Sequence, residues 1–191
     1  MVVERFPIPS KRRSSSSSSL DSRSKIKSLE ELCRVAEACR TAGHKVVLAH
    51  GVFDLLHLGH LRHLEEARSH GDILIVTLTA DAFVNKGPGK PVFSEQQRAE
   101  MLSGLGIVDW VGVNNALDAN SVLRAIKPDV YAKGADYRNP DDDVTGKIMH
   151  ERRAVETFGG KLIFTDDVSY SSSEILNRHF DVFEPQVRDF L

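Results

Sequence analysis

Short apolar runs alternate with helical patterns along most of this chain, and that alternation constrains the fold more than any other feature. The apolar runs cover residues 45–49, 73–78, 110–113, 130–132 and 162–164. Their lengths suit buried strands, and segments with helical spacing of apolar residues separate them. Strands that alternate with helices form right-handed βαβ units in a parallel sheet. The sequence therefore predicts a single α/β domain with a doubly wound, Rossmann-like, five-stranded parallel sheet.

Capping residues and glycines mark the predicted helix boundaries. Apolar residues from Leu29 to Cys39 follow helical spacing, and Gly43 ends that helix. The segment Ser94-Glu95-Gln96-Gln97 has the form of a capping box and opens a helix to Leu102. Further helices are predicted over residues 61–70, 121–126 and 147–158, with another start at Ser171-Ser172-Ser173-Glu174. Helices and strands thus follow one another as βαβ units require.

The composition indicates a soluble globular enzyme or binding protein. The chain has 191 residues, of which 41% are hydrophobic, enough for one substantial core. No apolar run approaches the roughly 20 residues of a membrane span, and the N-terminus has no apolar signal segment. Cys33 and Cys39 lie six positions apart in a predicted helix, so their side chains point in different directions and no disulfide is expected between them. These features predict a cytoplasmic protein without a membrane partner.

Charge is distributed unevenly between the N-terminus and the rest of the chain. Residues 1–28 carry seven basic and two acidic side chains, and the remainder has a net charge of −7. The unbroken serine run Ser14–Ser19 has nothing to bury, which predicts a flexible leader over residues 1–24. Contact of this leader with an anionic partner or membrane is the less favoured alternative. The acidic remainder does not have the charge pattern of a nucleic-acid-binding domain.

The segment 51–60, Gly-Val-Phe-Asp-Leu-Leu-His-Leu-Gly-His, follows the first predicted strand and opens a predicted helix. Unpaired N–H groups at a helix N-terminus, together with the helix dipole, favour bound phosphate. Gly51 and Gly59 allow the main chain to approach a ligand closely. His57 and His60 supply donors for charge that develops on a phosphorus centre. The segment therefore predicts a polyphosphate site at the end of the first strand.

Two other interpretations of the histidines are weaker. His57 and His60 could simply cap and pack the start of the helix. His57, His60 and His63 are spaced three residues apart, but no nearby cysteine or carboxylate completes a zinc set. No metal ligand is predicted among the protein side chains.

The segment 51–60 resembles the signature G-x-F-D-x-x-H-x-G-H of the cytidylyltransferase-like nucleotidyltransferases, and every fixed position matches. The resemblance extends over residues 25–180 and is strongest to the adenylyltransferase domains of ADP-heptose synthases. Lys90-Pro91-Val92 is similar to the R-P-V element of those domains, and Gln96-Gln97-Arg98 to their E-Q-R element, with Lys90 and Gln96 as departures. Asp109-Trp110 is similar to a V-D-W strand start, where we expect the tryptophan to lie in the core.

Two further elements carry the resemblance. Lys133-Gly134-Ala135-Asp136-Tyr137 is similar to K-G-G-D-Y, directly after a predicted strand, and Ser171–Ile175 is similar to S-T-T-x-I. The resemblance implies the following site. The catalytic residues are His57, His60 and Lys133; the nucleotide-binding residues are Gly51, Val52, Phe53, Asp54, Gly59, Arg98, Gly134, Ser171, Ser172 and Ser173; the substrate-binding residues are Lys86, Lys90, Asp136 and Tyr137.

The reaction implied by the resemblance is transfer of AMP from ATP to a sugar 1-phosphate, with a heptose favoured, and release of pyrophosphate. Mg²⁺ is expected to arrive with the nucleotide. A cytidylyltransferase for glycerol phosphate or a phospho-amine is the alternative within the same class. A nucleotide-binding module without turnover is the alternative from another class.

We expect a homodimer, with a sugar kinase as a possible fused or associated partner. Residues 181–191 are apolar and predicted to be a linker to another domain or an oligomer contact.

Overall fold

A computed structural model describes residues 21–85, 87, 89–138 and 147–166, and it confirms the predicted doubly wound α/β fold. Five strands form one sheet in the order β3-β2-β1-β4-β5, and all neighbouring pairs are parallel. The strands are β1 Val46–Gly51, β2 Ile73–Thr79, β3 Trp110–Asn114, β4 Val130–Lys133 and β5 Lys161–Phe164. Residues 1–20 of the predicted 1–24 leader and the segment 181–191 lie outside the described residues.

The helices follow the predicted order, and their caps explain their boundaries. They are α1 Leu29–Thr41, α2 Leu58–Ser69, α3 Glu95–Ser103, α4 Asn120–Ile126 and α5 Lys147–Glu156. The predicted capping box at the start of α3 is confirmed, with Ser94 and Gln97 exchanging hydrogen bonds. Helix α2 begins three residues before the predicted start, because His57 caps it. Gly159, which follows α5, has a φ of +80° that favours glycine.

Alternate residues of the strands fill two apolar layers, one on each face of the sheet. Helices α1, α4 and α5 pack on the face that carries Leu48 and Tyr131. Helices α2 and α3 pack on the opposite face, which carries Ala49 and Ala132. Trp110 is buried in the first layer, as the sequence predicts. The period of two along each strand thus decides which helix every strand residue meets.

The N-terminal part of the described chain fastens to the β3 edge of the sheet. A 3-10 helix over Ser22–Lys25 overlaps the last residues of the predicted leader. Lys25 Nζ donates hydrogen bonds to the main-chain oxygens of Leu105 (3.0 Å) and Val108 (2.8 Å). Ile26 forms a parallel bridge with Val111. The folded domain therefore begins a few residues before the predicted boundary at residue 25.

The strand order reverses direction between β1 and β4, which are hydrogen-bonded neighbours. In doubly wound sheets this switch point opens a crevice at the carboxyl ends of the strands, where ligands bind. β1 ends at Gly51 and β4 ends at Lys133. The topology therefore brings the 51–60 segment and the 133–137 segment to the same edge of the sheet.

Among the helices that the structure describes, none is both long enough and apolar enough to span a membrane.

We predict that Gly160→Ala lowers the free energy of unfolding by about 1–3 kcal/mol, the range for overpacking a core. A Cβ at position 160 would overlap the main-chain oxygen of Pro128 and lie 2.8 Å from Val155 Cγ2. Gly106→Ala is the matched control, because a Cβ there meets no atom within 4 Å. Urea unfolding of both variants measures the difference. Equal stability of the two variants would contradict this account of Gly160.

Candidate active site

The chain makes a sharp turn directly after β1, and two fixed positions of the motif form it. Phe53 is buried and has a φ of +51°, a left-handed conformation that is uncommon for a residue with a Cβ. The turn folds the Phe53 ring back over Gly51, where an added Cβ would lie 3.2 Å from the ring. A side chain at position 51 would therefore crowd the Phe53 ring, which would have to shift by a few tenths of an ångström. The turn directs the following residues towards the N-terminus of α2.

His57 is the N-cap residue of α2, and its Nδ1 accepts a hydrogen bond from the Gly59 N–H at 3.1 Å. Burial lowers the pKa of His57 below its usual value, so the imidazole is neutral at pH 7. A neutral ring with Nδ1 as acceptor carries its proton on Nε2. The capping function and the donor function are therefore compatible, since the cap leaves Nε2–H as a donor.

The ring of His60 is held between two aromatic neighbours. The His57 and His60 rings stack with their centroids 3.9 Å apart, and Phe53 lies 5.3 Å from His60 in a tilted arrangement. These contacts bring both motif histidines together at the first turn of α2. The structure thus places His57 and His60 as one unit beside the main-chain N–H groups of the helix start.

Asp54 connects the motif to the loop that precedes α3. Its Oδ1 accepts hydrogen bonds from the N–H groups of Val92 (2.8 Å) and Phe93 (3.0 Å). Lys90 Nζ lies 3.9 Å from Asp54 Oδ2. Asp54 was predicted to bind nucleotide and Lys90 to bind substrate. In the structure Asp54 is buried and the half-buried Lys90 lies beside it, and these contacts hold the loop against the motif turn.

Arg98 lies beneath the motif turn and not at the open edge of the sheet. Its side chain is 0% exposed and donates hydrogen bonds to the main-chain oxygens of Val52, Phe93 and Thr79, and to an Asp81 carboxylate oxygen. The sequence predicted that this guanidinium contacts nucleotide phosphates. The structure corrects that role, because protein oxygens on three chain segments already surround it. We assign Arg98 to holding the motif turn, the end of β2 and the loop before α3 together.

Lys133 is the last residue of β4 and is only 8% exposed. Its Nζ lies 3.4 Å from Glu151 Oε2 and 4.1 Å from the centroid of the Tyr137 ring. The hydroxyl of Tyr131 donates to the same Glu151 oxygen at 2.9 Å. The predicted catalytic lysine therefore reaches the switch point in a cluster that joins the buried Lys133, Glu151 and Tyr131 to the partly exposed Tyr137, here called the Lys133 cluster.

Sequence reasoning missed Glu151. Glu151 lies in α5 between the buried residues Ile148 and Val155, with spacings of three and four residues. That spacing puts a carboxylate on the apolar face of the helix, where a charged side chain needs a partner. This pattern was the one signal in the sequence that could have identified it.

Residues 48–178 match the family model described as cytidylyltransferase-like. The chain belongs to the cytidylyltransferase-like family and is a nucleotidyltransferase. The bifunctional protein HldE of Syntrophotalea carbinolica is 38% identical over 164 residues, which cover 84% of this chain and 32% of that protein. The bifunctional protein HldE of Pseudomonas entomophila is 41% identical over 150 residues, which cover 78% of this chain and 30% of that protein. The chain thus spans about a third of the length of these curated relatives.

Two solved structures share the fold. The lipopolysaccharide core biosynthesis protein from Thermoplasma volcanium matches with a TM-score of 0.56 and 27% identity, over 66% of this chain and 100% of that chain. Pantoate-beta-alanine ligase from Francisella tularensis matches with a TM-score of 0.53 and 16% identity, over 80% of this chain and 76% of that chain. The second match concerns the fold alone.

Two further histidines lie near the switch point of this cytidylyltransferase-like domain, and both are neutral. His63 Nδ1 lies 2.8 Å from Thr165 Oγ1, and His50 Nδ1 lies 3.0 Å from Thr77 Oγ1. Burial lowers the pKa of His63 to about 4 and the pKa of His50 to about 3, with a smaller contribution from the Lys133 charge. His63 therefore contacts the chain directly after β5. Within the described ranges, no three His, Cys, Asp or Glu side chains are grouped as a metal site.

The remaining predicted residues are placed in part. Gly134 follows β4 and precedes a 3-10 helix over Ala135–Tyr137, which contains Asp136 and a partly exposed Tyr137. Gly59 is buried in the first turn of α2. The structure brings these positions to the edge that carries the motif histidines. Lys86, Ser171, Ser172 and Ser173 lie outside the described residues.

We predict that Arg98→Lys lowers the free energy of unfolding by about 2–4 kcal/mol, because a lysine cannot donate to all four acceptors and leaves buried oxygens unpaired. Arg62→Lys is the control, since Arg62 forms an exposed pair with Glu65. That control should change stability by less than about 0.5 kcal/mol. Urea denaturation of both variants gives the comparison. Similar small losses in both would show that Arg98 does not hold the turn.

Proposed function

We propose that this nucleotidyltransferase moves AMP from ATP to a sugar 1-phosphate, most favourably a heptose 1-phosphate, and releases pyrophosphate. The single observation that carries this proposal is the pair of motif histidines at the start of α2. His57 has its Nε2–H available as a donor, and its ring stacks on His60 at the carboxyl end of β1. Neutral donors and helix N–H groups at this position suit a phosphorus centre that gains negative charge.

In the proposed reaction an oxygen of the sugar phosphate attacks the α-phosphorus of ATP. A P–O bond forms to the sugar phosphate, and the bond between the α-phosphorus and the bridging oxygen breaks. The bridging oxygen leaves with pyrophosphate, so no proton transfer is required. The acceptor phosphate is already an anionic nucleophile, and catalysis consists of positioning and charge stabilisation. Mg²⁺ enters as part of the Mg–ATP substrate and balances charge on the leaving pyrophosphate.

The residues of this chain have the following roles in the proposed reaction. His57 and His60 donate to the α-phosphate, and the main chain at Gly51, Val52, Phe53 and Gly59 forms the wall against the nucleotide. Lys133 offsets phosphate charge from the neighbouring strand end. Gly134 extends the nucleotide wall, while Ser171, Ser172 and Ser173 are proposed phosphate contacts. Lys86, Asp136 and Tyr137 are proposed to line the acceptor pocket, and Lys90 acts there indirectly through the loop that Asp54 holds.

The heptose assignment is supported by likeness to proteins named bifunctional protein HldE at 38–41% identity. It is also supported by likeness to a protein named for lipopolysaccharide core biosynthesis. Because this chain spans about a third of the HldE proteins, we propose that a separate or fused sugar kinase supplies the sugar 1-phosphate. A cytoplasmic homodimer is the proposed working form.

A cytidylyltransferase for glycerol phosphate or a phospho-amine is the second candidate. The description of the matching family model favours it, because that description names cytidylyl transfer. Both candidates use the same histidines and the same bond changes, and they differ only in the base and in the acceptor.

We predict that His57→Ala and His60→Ala each lower kcat about 10²- to 10⁴-fold, the range for losing a transition-state donor. His150→Ala is the control, because His150 is exposed on α5. Pyrophosphate release gives the rates, and circular dichroism checks the fold. Normal rates in both motif variants would remove the proposed mechanism. A wild-type chain that binds nucleotide without releasing pyrophosphate would support a non-catalytic module.

We predict that ATP with a heptose 1-phosphate gives the fastest pyrophosphate release in a screen of four nucleoside triphosphates against sugar 1-phosphates, glycerol phosphate and phospho-amines. In the same assay Lys133→Ala should lower kcat/KM by an amount equal to about 2–4 kcal/mol, the value of a charge-assisted contact to phosphate. If CTP matches ATP, or glycerol phosphate exceeds every sugar 1-phosphate, the heptose assignment fails. The nucleotidyltransferase class would survive that outcome.

A further inference from the structure

The carboxylate of Glu151 is anchored on several sides within the Lys133 cluster. Its Oε2 accepts the Tyr131 hydroxyl at 2.9 Å and lies 3.4 Å from Lys133 Nζ. Its Oε1 lies 3.4 Å from the Ala119 N–H, at the start of α4. Glu151 is only 4% exposed, so water does not compete for these contacts. Its position is therefore determined by β4, α4 and α5 together.

We propose that Glu151 is a positioning residue, which holds the Lys133 ammonium in place for the phosphate groups at the end of β4. This inference rests on the proposed function, because it assigns a purpose to Lys133 in phosphate binding. Glu151 itself touches no reacting atom. It acts through the lysine.

A role in stability alone explains this pair poorly. Removing two charges from water is costly, and a well-packed apolar pair often gives equal or greater stability at such a position. The pair lies where β4 ends, at the switch point of the sheet, and not in the middle of the apolar layer. A buried ammonium at the end of β4 would present a positive charge, already in position, to a phosphate bound at the switch point.

Lysine has a long flexible side chain, and fixing it costs about 2 kcal/mol of rotamer entropy. Glu151 on one side and the Tyr137 ring 4.1 Å away confine the Lys133 ammonium before any ligand arrives. The side chain therefore loses this rotamer entropy when the protein folds, and phosphate binding does not have to offset the loss. Glutamine at position 151 would keep the shape, but its amide offers one acceptor oxygen in place of two and lacks the charge that retains the ammonium.

The test compares Glu151→Gln with Glu156→Gln, which makes the same change at an exposed position of the same helix. The first measurement needs no activity: lysines of the wild type and both variants are acetylated, and mass spectrometry gives a rate for each. Losing the paired carboxylate releases the Lys133 ammonium from the cluster and makes its nitrogen easier to reach. We expect Lys133 to react about tenfold faster in Glu151→Gln, the factor that corresponds to losing a charge-assisted contact worth about 1.4 kcal/mol.

Lys25 reports on general loosening of the fold. It is half-buried, ends the 3-10 helix Ser22–Lys25, and is bound to the main chain just before β3, at the edge of the sheet away from β4. Its rate should be the same in all three proteins. Faster labelling of Lys133 together with an unchanged Lys25 supports the proposal, and an unchanged Lys133 rate in Glu151→Gln overturns it.

The second measurement is pyrophosphate release with Mg–ATP and the best acceptor. We expect kcat to fall about 10- to 100-fold in Glu151→Gln, since small misplacements of a binding group have effects of that size. KM for ATP should not rise, because the positive charge of Lys133 remains. Glu156→Gln should stay within twofold of wild type. Faster labelling with an unchanged kcat would overturn the positioning role.

Two outcomes are kept distinct by this design. If no nucleotide and acceptor yield pyrophosphate with the wild type, the proposed function fails, and the labelling result alone decides whether Glu151 holds Lys133.

If Glu151→Gln does not fold, Tyr131→Phe takes its place, because it removes only the hydroxyl that orients Glu151 Oε2. We then expect about threefold changes in both measurements, the effect of one hydrogen bond. No change in either measurement overturns the proposal.

Discussion

The buried guanidinium of Arg98 is the interaction on which the rest of this site depends. It joins the main chain of the motif turn at Val52, the end of β2 at Thr79 and the loop before α3 at Phe93. Without Arg98 the buried Thr79 carbonyl would lose this hydrogen-bond donor, at a cost of about 1–3 kcal/mol, and the part-buried carbonyls of Val52 and Phe93 would lose theirs. With the turn held in this way, Phe53 adopts its left-handed conformation and the chain enters α2 at His57. The helix start, and hence the direction of both histidines, follows from that entry.

Neutral and charged groups meet at this edge of the sheet. Burial lowers the pKa of His50, His57 and His63, so these three imidazoles are neutral at pH 7 and act as hydrogen-bond donors or acceptors. At the end of β4, Lys133 brings an ammonium that lies 3.4 Å from the Glu151 carboxylate. An anionic ligand at the switch point would therefore meet neutral donors and helix N–H groups at α2, and the Lys133 ammonium at β4.

The predictions from sequence succeeded where the pattern is local. The alternation of apolar runs with capped helices is set by neighbouring residues, and the structure contains all five predicted strands and the Ser94 capping box. Predictions that depended on where a side chain points were less successful. Arg98 was assigned to phosphate and is enclosed by protein, because the segments that enclose it lie 5 to 46 positions away. The cap that His57 forms through Nδ1 leaves its Nε2–H as a donor, so the capping interpretation does not exclude the catalytic one.

By itself the sequence determined the class of fold, the strand and helix order and the position of the 51–60 motif at a strand-to-helix junction. Each of these depends on periodicity, caps and turn residues within a short window. Only the tertiary structure decided that Lys133 is paired with Glu151, that Asp54 fastens the loop before α3, and that Arg98 supports the motif from beneath. The physical reason is that burial and pairing depend on which distant segments the sheet topology brings together.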